Sequence, residues 1–213
     1  AYPLASLALA VLFNQWLEDS PRRALLHGFL FGAGFFGAGI SWVYVSINQY
    51  GHVHPLVAGL LTCLLVAFLS TYPALLGYLL KRFRPGYSMV AMAMVFPGGW
   101  VVSEWLRGWL FSGFPWLSIG TSQIDGPLGG FAPLGGVAGV SLLVAVSAAL
   151  LLVLLRGPQR PVALLVLAVL WGGGQALHRV EWTEPRGEAL EVALVQGNIA
   201  QERKWAPDNL LNT

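Results

Sequence analysis

The stretch EWLRGWLFSGFPWLSIGTSQIDGPLGGFAPLGG, Glu104 to Gly136, decides the fold class of this chain. It opens with a carboxylate, Glu104, and a guanidinium, Arg107, inside an apolar segment, and its only later charge is Asp125. An ionisable side chain at the centre of a bilayer-spanning helix costs roughly 2.5 to 3.5 kcal/mol on insertion scales, so both groups must be paired or must face something polar. Three residues apart on a helix, they share one face. After Leu110, glycine and proline are too frequent for a helix and the side chains too apolar for a solvated loop. The segment is expected at the membrane surface, packed on protein or lipid. Two roles are open for Glu104 and Arg107: an ion pair that locks two helices near the interface, or direct contact with a substrate.

The composition points to the same class. Of 213 residues, 56% are hydrophobic and 10% charged, against roughly 25% charged in a soluble domain. Mean hydropathy is +0.65. A formal net charge of +2, with no basic patch, does not suit a nucleic-acid-binding protein. The lone cysteine, Cys63, excludes an internal disulfide, and in LLTCLLVAFL it is expected to be a buried, unreactive thiol. The chain opens without Met, shows no signal peptide and stops at NLLNT inside what reads as a new segment, so a fragment of a longer protein is expected.

Six apolar segments can be drawn: Leu4 to Leu17, Ala24 to Ile47, Leu56 to Leu80, Tyr87 to Leu110, Val137 to Leu155, and Val162 to Leu177. Crossing the hydrocarbon takes about 20 helical residues, which the second, third and fourth segments supply and the first does not. Arg22, Arg23, Lys81, Arg82, Arg84, Arg156 and Arg160 fall in alternate connections, whereas Asn48 to Pro55 and Ser112 to Gly136 have no Lys or Arg. The positive-inside rule then places Arg22, Lys81 and Arg156 in the cytoplasm and the opening stretch on the far side. Trp42, Trp105, Trp109, Trp116, Trp171 and Trp182 fall near the outer boundary, as an aromatic belt would.

Within the segments, Gly28 and Gly32 have GxxxG spacing and Ala33 with Gly37 extends the small face, a signal for close helix packing. Pro73 should kink its segment, with Ser70 and Thr71 placed to satisfy the freed carbonyl. Pro97, Gly98 and Gly99 are expected to break the fourth segment. His52 and His54 form an H-x-H with no third ligand in view, so no metal site is assigned. From His178 onward the composition turns soluble, and Leu190 to Val195 reads as a buried strand between Gly187 and Gly197. The domains are therefore 1–177, a transmembrane helical bundle, and 178–213, a linker and first strand of an outer domain that is mostly absent.

Four blocks together resemble the bacterial apolipoprotein N-acyltransferases: GAGISWVYVSI at Gly37 to Ile47, EWLRGW at Glu104 to Trp109, GFPWLSIGTSQIDGPL at Gly113 to Leu128, and VALVQGNIAQERKW at Val192 to Trp205. The resemblance implies an α-helical inner-membrane bundle carrying a periplasmic nitrilase-like αββα sandwich. It also implies transfer of an acyl chain from a phospholipid, through a cysteine thioester, to the α-amino group of a diacylglyceryl-cysteine apolipoprotein, the last step of lipoprotein maturation. A thioester divides one difficult acyl transfer into two easier ones.

No cofactor is implied, and a monomer in the lipid bilayer is expected. The family's Glu-Lys-Cys triad has no match here, so no catalytic residue is assigned to this chain, and Cys63 is not the nucleophile. By resemblance, Trp205 and the segment Gly113, Phe114, Pro115 and Trp116 are substrate-contact candidates, alongside Glu104 and Arg107. Two other classes compete: a secondary transporter built on a broken fourth segment and a Glu104/Arg107 site, and a passive anchor for an outer binding domain. A transporter should show internal repeats, and the sequence has none.

Overall fold

The computed structural model describes residues 2–83, 89–188, 190–196 and 198, with backbone only at 89–92. The described residues form helices α1 (Pro3–Glu18), α2 (Pro21–Gly39), α3 (Trp42–Val45), α4 (Pro55–Phe83), α5 (Met89–Trp109), α6 (Ala132–Arg156) and α7 (Arg160–Leu177). A π turn, Ser46–Tyr50, continues α3, and 3₁₀ turns at Leu110–Ser112, Ile119–Gln123 and Pro127–Phe131 join α5 to α6. Proline lies in the first turn of α1, α2, α4, α6 and α7, where its missing N–H has no intrahelical partner to lose.

Length and apolarity make α4, the run Pro127–Arg156 and α7 candidate membrane spans, and α2 with α3 and its π turn a fourth, bent by 52°. Among the described residues, that is fewer than the six apolar segments. The 16 residues of α1 rise only about 24 Å, short of the roughly 30 Å hydrocarbon core. The last turns of α5 carry Glu104 and Arg107.

At one end of the bundle, Lys81 Nζ on α4 donates to the Leu17 carbonyl of α1 at 3.0 Å, and Arg156 on α6 pairs with Glu18. Asp19 and His27 pair there too, at 2.6 Å. The basic connections thus share an end, and α7 finishes at the opposite one, where His178 Nε2 meets the Gly126 carbonyl at 3.1 Å.

The core sits where α1, α5 and α6 meet. Phe13 and Trp16, both fully buried, pack edge-on against Phe96 at ring separations of 5.3 and 6.0 Å. The Trp16 indole also donates to the Ala24 carbonyl at 3.0 Å, tying α1 to α2. Small residues bring α2 onto α4: a Cβ at Gly28 would lie 2.4 Å from the Pro73 carbonyl oxygen, and one at Gly32 2.8 Å from Ser70 Cα. Ala33 and Gly37, expected to extend that contact, instead line an open groove of about 550 Å³ between the two helices.

Four local expectations change. Cys63 is exposed on the wall of that groove, because a lipid-facing position accepts an apolar thiol as readily as a core does. α5 runs unbroken through Pro97; the ring costs one backbone hydrogen bond, which packing in a bundle tolerates. The loss of a break also removes one of the two features on which a transporter reading rested.

At Pro73, Ser70 and Thr71 donate to the carbonyls of Val66 and Phe68, at 2.7 and 2.6 Å. A helical hydroxyl reaches back three or four residues, so neither can serve Leu69, whose partner the proline removes. Beyond α7, Leu190 to Val195 carry no regular structure, and Leu190, Val192, Leu194 and Val195 are 73–95% exposed. No strand occurs among the described residues, so the expected strand has no neighbour to complete its ladder.

Candidate functional site

The last two turns of α5 hold the loop that follows them. Leaving Trp109, the backbone enters the left-handed region three times in quick succession: φ is +55° at Phe111, +74° at Ser112 and +77° at Gly113, and it returns there at Leu117, +60°. Each such non-glycine residue costs about 1 to 3 kcal/mol, so the surrounding structure must over-determine the loop.

Arg107 supplies much of that constraint. It is 3% exposed. Its Nη1 donates to the Phe114 carbonyl at 2.6 Å and to the Trp116 carbonyl, and Nη2 to the Leu117 carbonyl at 3.4 Å. A planar guanidinium can serve several acceptors at once, which an ammonium on a single stem cannot do in this geometry. The group also lies 5.4 Å from the centre of the Phe36 ring, a cation–π contact to α2. The Arg107 carbonyl in turn accepts the Phe114 N–H at 2.7 Å.

Glu104 holds the next part of the loop. Its Oε1 accepts the Ile119 N–H at 2.7 Å and the Trp100 indole N–H at 3.0 Å, and Oε2 accepts the Ser141 hydroxyl at 2.7 Å. Ser141, fully buried on α6, accepts the Gly120 N–H at 2.9 Å. The loop sits directly on α6 here, since a Cβ at Gly120 would lie 2.5 Å from the Val137 carbonyl oxygen.

Among the described residues, the ion pairs within 4.0 Å are His27–Asp19 and Arg156–Glu18. Glu104 and Arg107 therefore form no direct ion pair: Arg107 donates to loop carbonyls, and Glu104 accepts from the loop at Ile119, from Trp100 on α5 and from Ser141 on α6. The space beside them, bordered by Phe36, Tyr72 and Trp100, is about 10 Å³, the size of one water and far below an acyl chain.

What the clamp presents outward is aromatic. Phe114 is half-buried, while Pro115 and Trp116 are exposed. The Trp116 ring lies 5.1 Å from Phe114 and 6.4 Å from Trp42. Trp105, Trp109 and Phe111 are exposed nearby in sequence, as an interfacial belt requires. Trp171 departs from that belt: its indole donates inward to Ser147 on α6 at 3.1 Å.

The structure thus brings Glu104, Arg107, Gly113, Phe114, Pro115 and Trp116 together, and Trp205 lies outside the described residues. His54 Nδ1 accepts the Leu56 N–H at 3.3 Å, a contact at the start of α4. Sequence reasoning alone does not single out Ser141 or Gln123. Gln123 is fully buried and donates to the Tyr2 carbonyl at 2.9 Å, anchoring the loop to α1. The available signal for Ser141 is a hydroxyl inside an apolar run, and Ser147 in the same run carries it equally.

These features define a helical membrane protein with a strained, aromatic-tipped loop clamped at one end. Residues 1–150 match the model of a family described as apolipoprotein N-acyltransferase N-terminal domain, and the chain belongs to that family. It is 50% identical to the apolipoprotein N-acyltransferase of Methylococcus capsulatus over 96% of this chain and 41% of that protein. Identity to the enzyme of the same name from Nitrosomonas europaea is 43%, over 100% of this chain and 43% of that protein. For Pseudomonas putida it is 45%, over 98% and 42%. The chain spans about two fifths of the length of the curated relatives it matches.

Proposed function

We propose that this chain is the membrane platform of an enzyme that N-acylates the N-terminal diacylglyceryl-cysteine of apolipoproteins, with a phospholipid as acyl donor. Similarity along almost the whole chain to proteins named apolipoprotein N-acyltransferase carries the reading. In the proposed reaction, an enzyme thiolate attacks the acyl ester of the phospholipid, forming a thioester and releasing a lysophospholipid whose alkoxide takes up a proton. The free α-amine of the acceptor then attacks the thioester, forming an amide and returning the thiol.

The residues that do this chemistry belong to a nitrilase-type domain, and positions 178–213 would form the approach to it. The basic end of the bundle, with Arg22, Lys81 and Arg156, faces the cytoplasm in this proposal, and the Glu104 to Gly136 stretch faces the periplasm across the inner membrane. The six apolar segments, including the short α1, would together make the bundle. Both substrates are lipid-anchored, so they reach the reaction centre sideways from the bilayer. A fixed surface at that depth limits the orientations they must search. Gly113 to Trp116 and Trp205 are the residues proposed to meet them.

Purified full-length protein in detergent, given phospholipid and a diacylglyceryl-cysteine peptide, tests the reading by mass spectrometry. Gain of one acyl chain on the peptide α-amine, with lysophospholipid formed in equal amount, is expected. A folded protein that yields neither product would remove the proposal.

A further inference from the structure

We infer that Glu104, Arg107 and Ser141 are positioning residues, which fix the backbone of the 114–120 loop and thereby set the lipid-facing surface made by Phe114, Pro115 and Trp116. The inference rests on the proposed acyltransferase reading for its effect on turnover, but its geometry is independent of it. All the hydrogen-bond contacts of the Arg107 guanidinium end on loop carbonyls. Two of the three to the Glu104 carboxylate come from the Ile119 N–H and the Ser141 hydroxyl, and the latter also takes the Gly120 N–H. The third, from Trp100, comes from α5 itself.

The clamp thus grips both flanks of the aromatic tip. Arg107 holds the carbonyls at 114, 116 and 117, and Glu104 with Ser141 holds the N–H groups at 119 and 120. A carboxylate is matched to donors and a guanidinium to acceptors, so exchanging the two residues would leave every contact unmatched. The void beside them holds no more than a water, so these groups do not reach a lipid substrate through it. Their influence on lipid passes through the loop.

Ser141 offers the cleanest test, because Ser141→Ala removes one hydroxyl from a buried site without adding volume. Two measurements on the full-length protein separate the arms. In the first, Pro115→Cys, with Cys63 and every other cysteine of the full-length protein changed to Ser, carries a nitroxide, whose spectrum reports loop motion and needs no turnover. The label is expected to be immobilised with Ser141 present and clearly more mobile with Ser141→Ala or Arg107→Lys. Unchanged spectra in both variants would overturn the clamp.

In the second, Ser141→Ala without the label is assayed with phospholipid and with a water-soluble short-chain p-nitrophenyl ester. A rise of roughly tenfold in KM for the phospholipid, with kcat and the soluble-ester rate preserved, is expected from a displaced lipid surface. A parallel fall with both donors, or no change with either, would overturn the positioning role. Should the unmutated protein acylate no diacylglyceryl peptide, the functional reading fails and the nitroxide arm still decides the clamp.

Discussion

The Ser141 hydroxyl on α6 donates to the Glu104 carboxylate on α5 at 2.7 Å while accepting the Gly120 N–H of the intervening loop at 2.9 Å. One buried hydroxyl therefore joins two helices and the segment between them. Polar groups inside an apolar bundle are costly when unmatched, so a hydroxyl used as both donor and acceptor makes the site more specific than an apolar contact would.

Replacement of Glu104 by leucine leaves the Ile119 N–H, the Trp100 indole and Ser141 without their acceptor. Each buried donor so stranded costs about 1 to 3 kcal/mol. Thermal unfolding in detergent is expected to show a large loss for Glu104→Leu and a smaller one for Glu104→Gln, which retains one acceptor oxygen. Stability of both variants equal to that of the unmutated protein would mean that the carboxylate holds nothing.

Gly113 takes φ +77° with ψ 148°, a combination open essentially to glycine alone, and a Cβ there would lie 2.1 Å from the Gly108 carbonyl oxygen. Gly113→Ala is therefore expected to lower stability by about 1 to 3 kcal/mol for the backbone alone, with more from the clash. Circular dichroism melts of the purified protein measure it.

The α2–α4 contact makes a paired prediction. Gly28→Val pushes a branched side chain into the Pro73 carbonyl, and overpacking of this kind costs about 1 to 3 kcal/mol. At Gly34, on the same helix, an added methyl group would meet nothing within 4 Å, so Gly34→Ala should leave stability equal or raise it by about 0.5 to 1 kcal/mol. Comparison of unfolding midpoints in one detergent gives both answers.

Trp205→Ala in the full-length protein is expected to lower acyl transfer well below the unmutated rate with membrane insertion intact, read by the peptide assay and by membrane fractionation. Activity equal to the unmutated protein would assign Trp205 to packing.

Much of the bundle is legible in hydrophobic runs, because a bilayer demands apolar segments whatever they pack against. Gly28 and Gly32 announce a close helix contact by spacing, and the fold supplies the partner, α4. The site is half legible. Glu104 and Arg107 stand out as charges in an apolar segment, but their partners are loop carbonyls and N–H groups, which every residue carries and no sequence pattern marks. Ser141 lies 37 residues from Glu104 in the chain, so only the fold reveals that they meet. Pro97 misleads because a proline is judged by the bond it removes, whereas packing decides whether the helix bends. Leu190 to Val195 has strand composition, yet a strand exists only beside another strand.

The central claim is that the basic end of the bundle lies inside the cell and the clamped loop outside it, where a water-facing domain can receive lipids. In the full-length protein with Cys63 and every other cysteine changed to Ser, the proposed nucleophile included, Asp125→Cys and Arg82→Cys both replace exposed residues, and intact spheroplasts are treated with a membrane-impermeant maleimide. Labelling at position 125 at once, and at position 82 only after the membrane is opened, is the result this account predicts. Labelling at 82 with silence at 125 would contradict it.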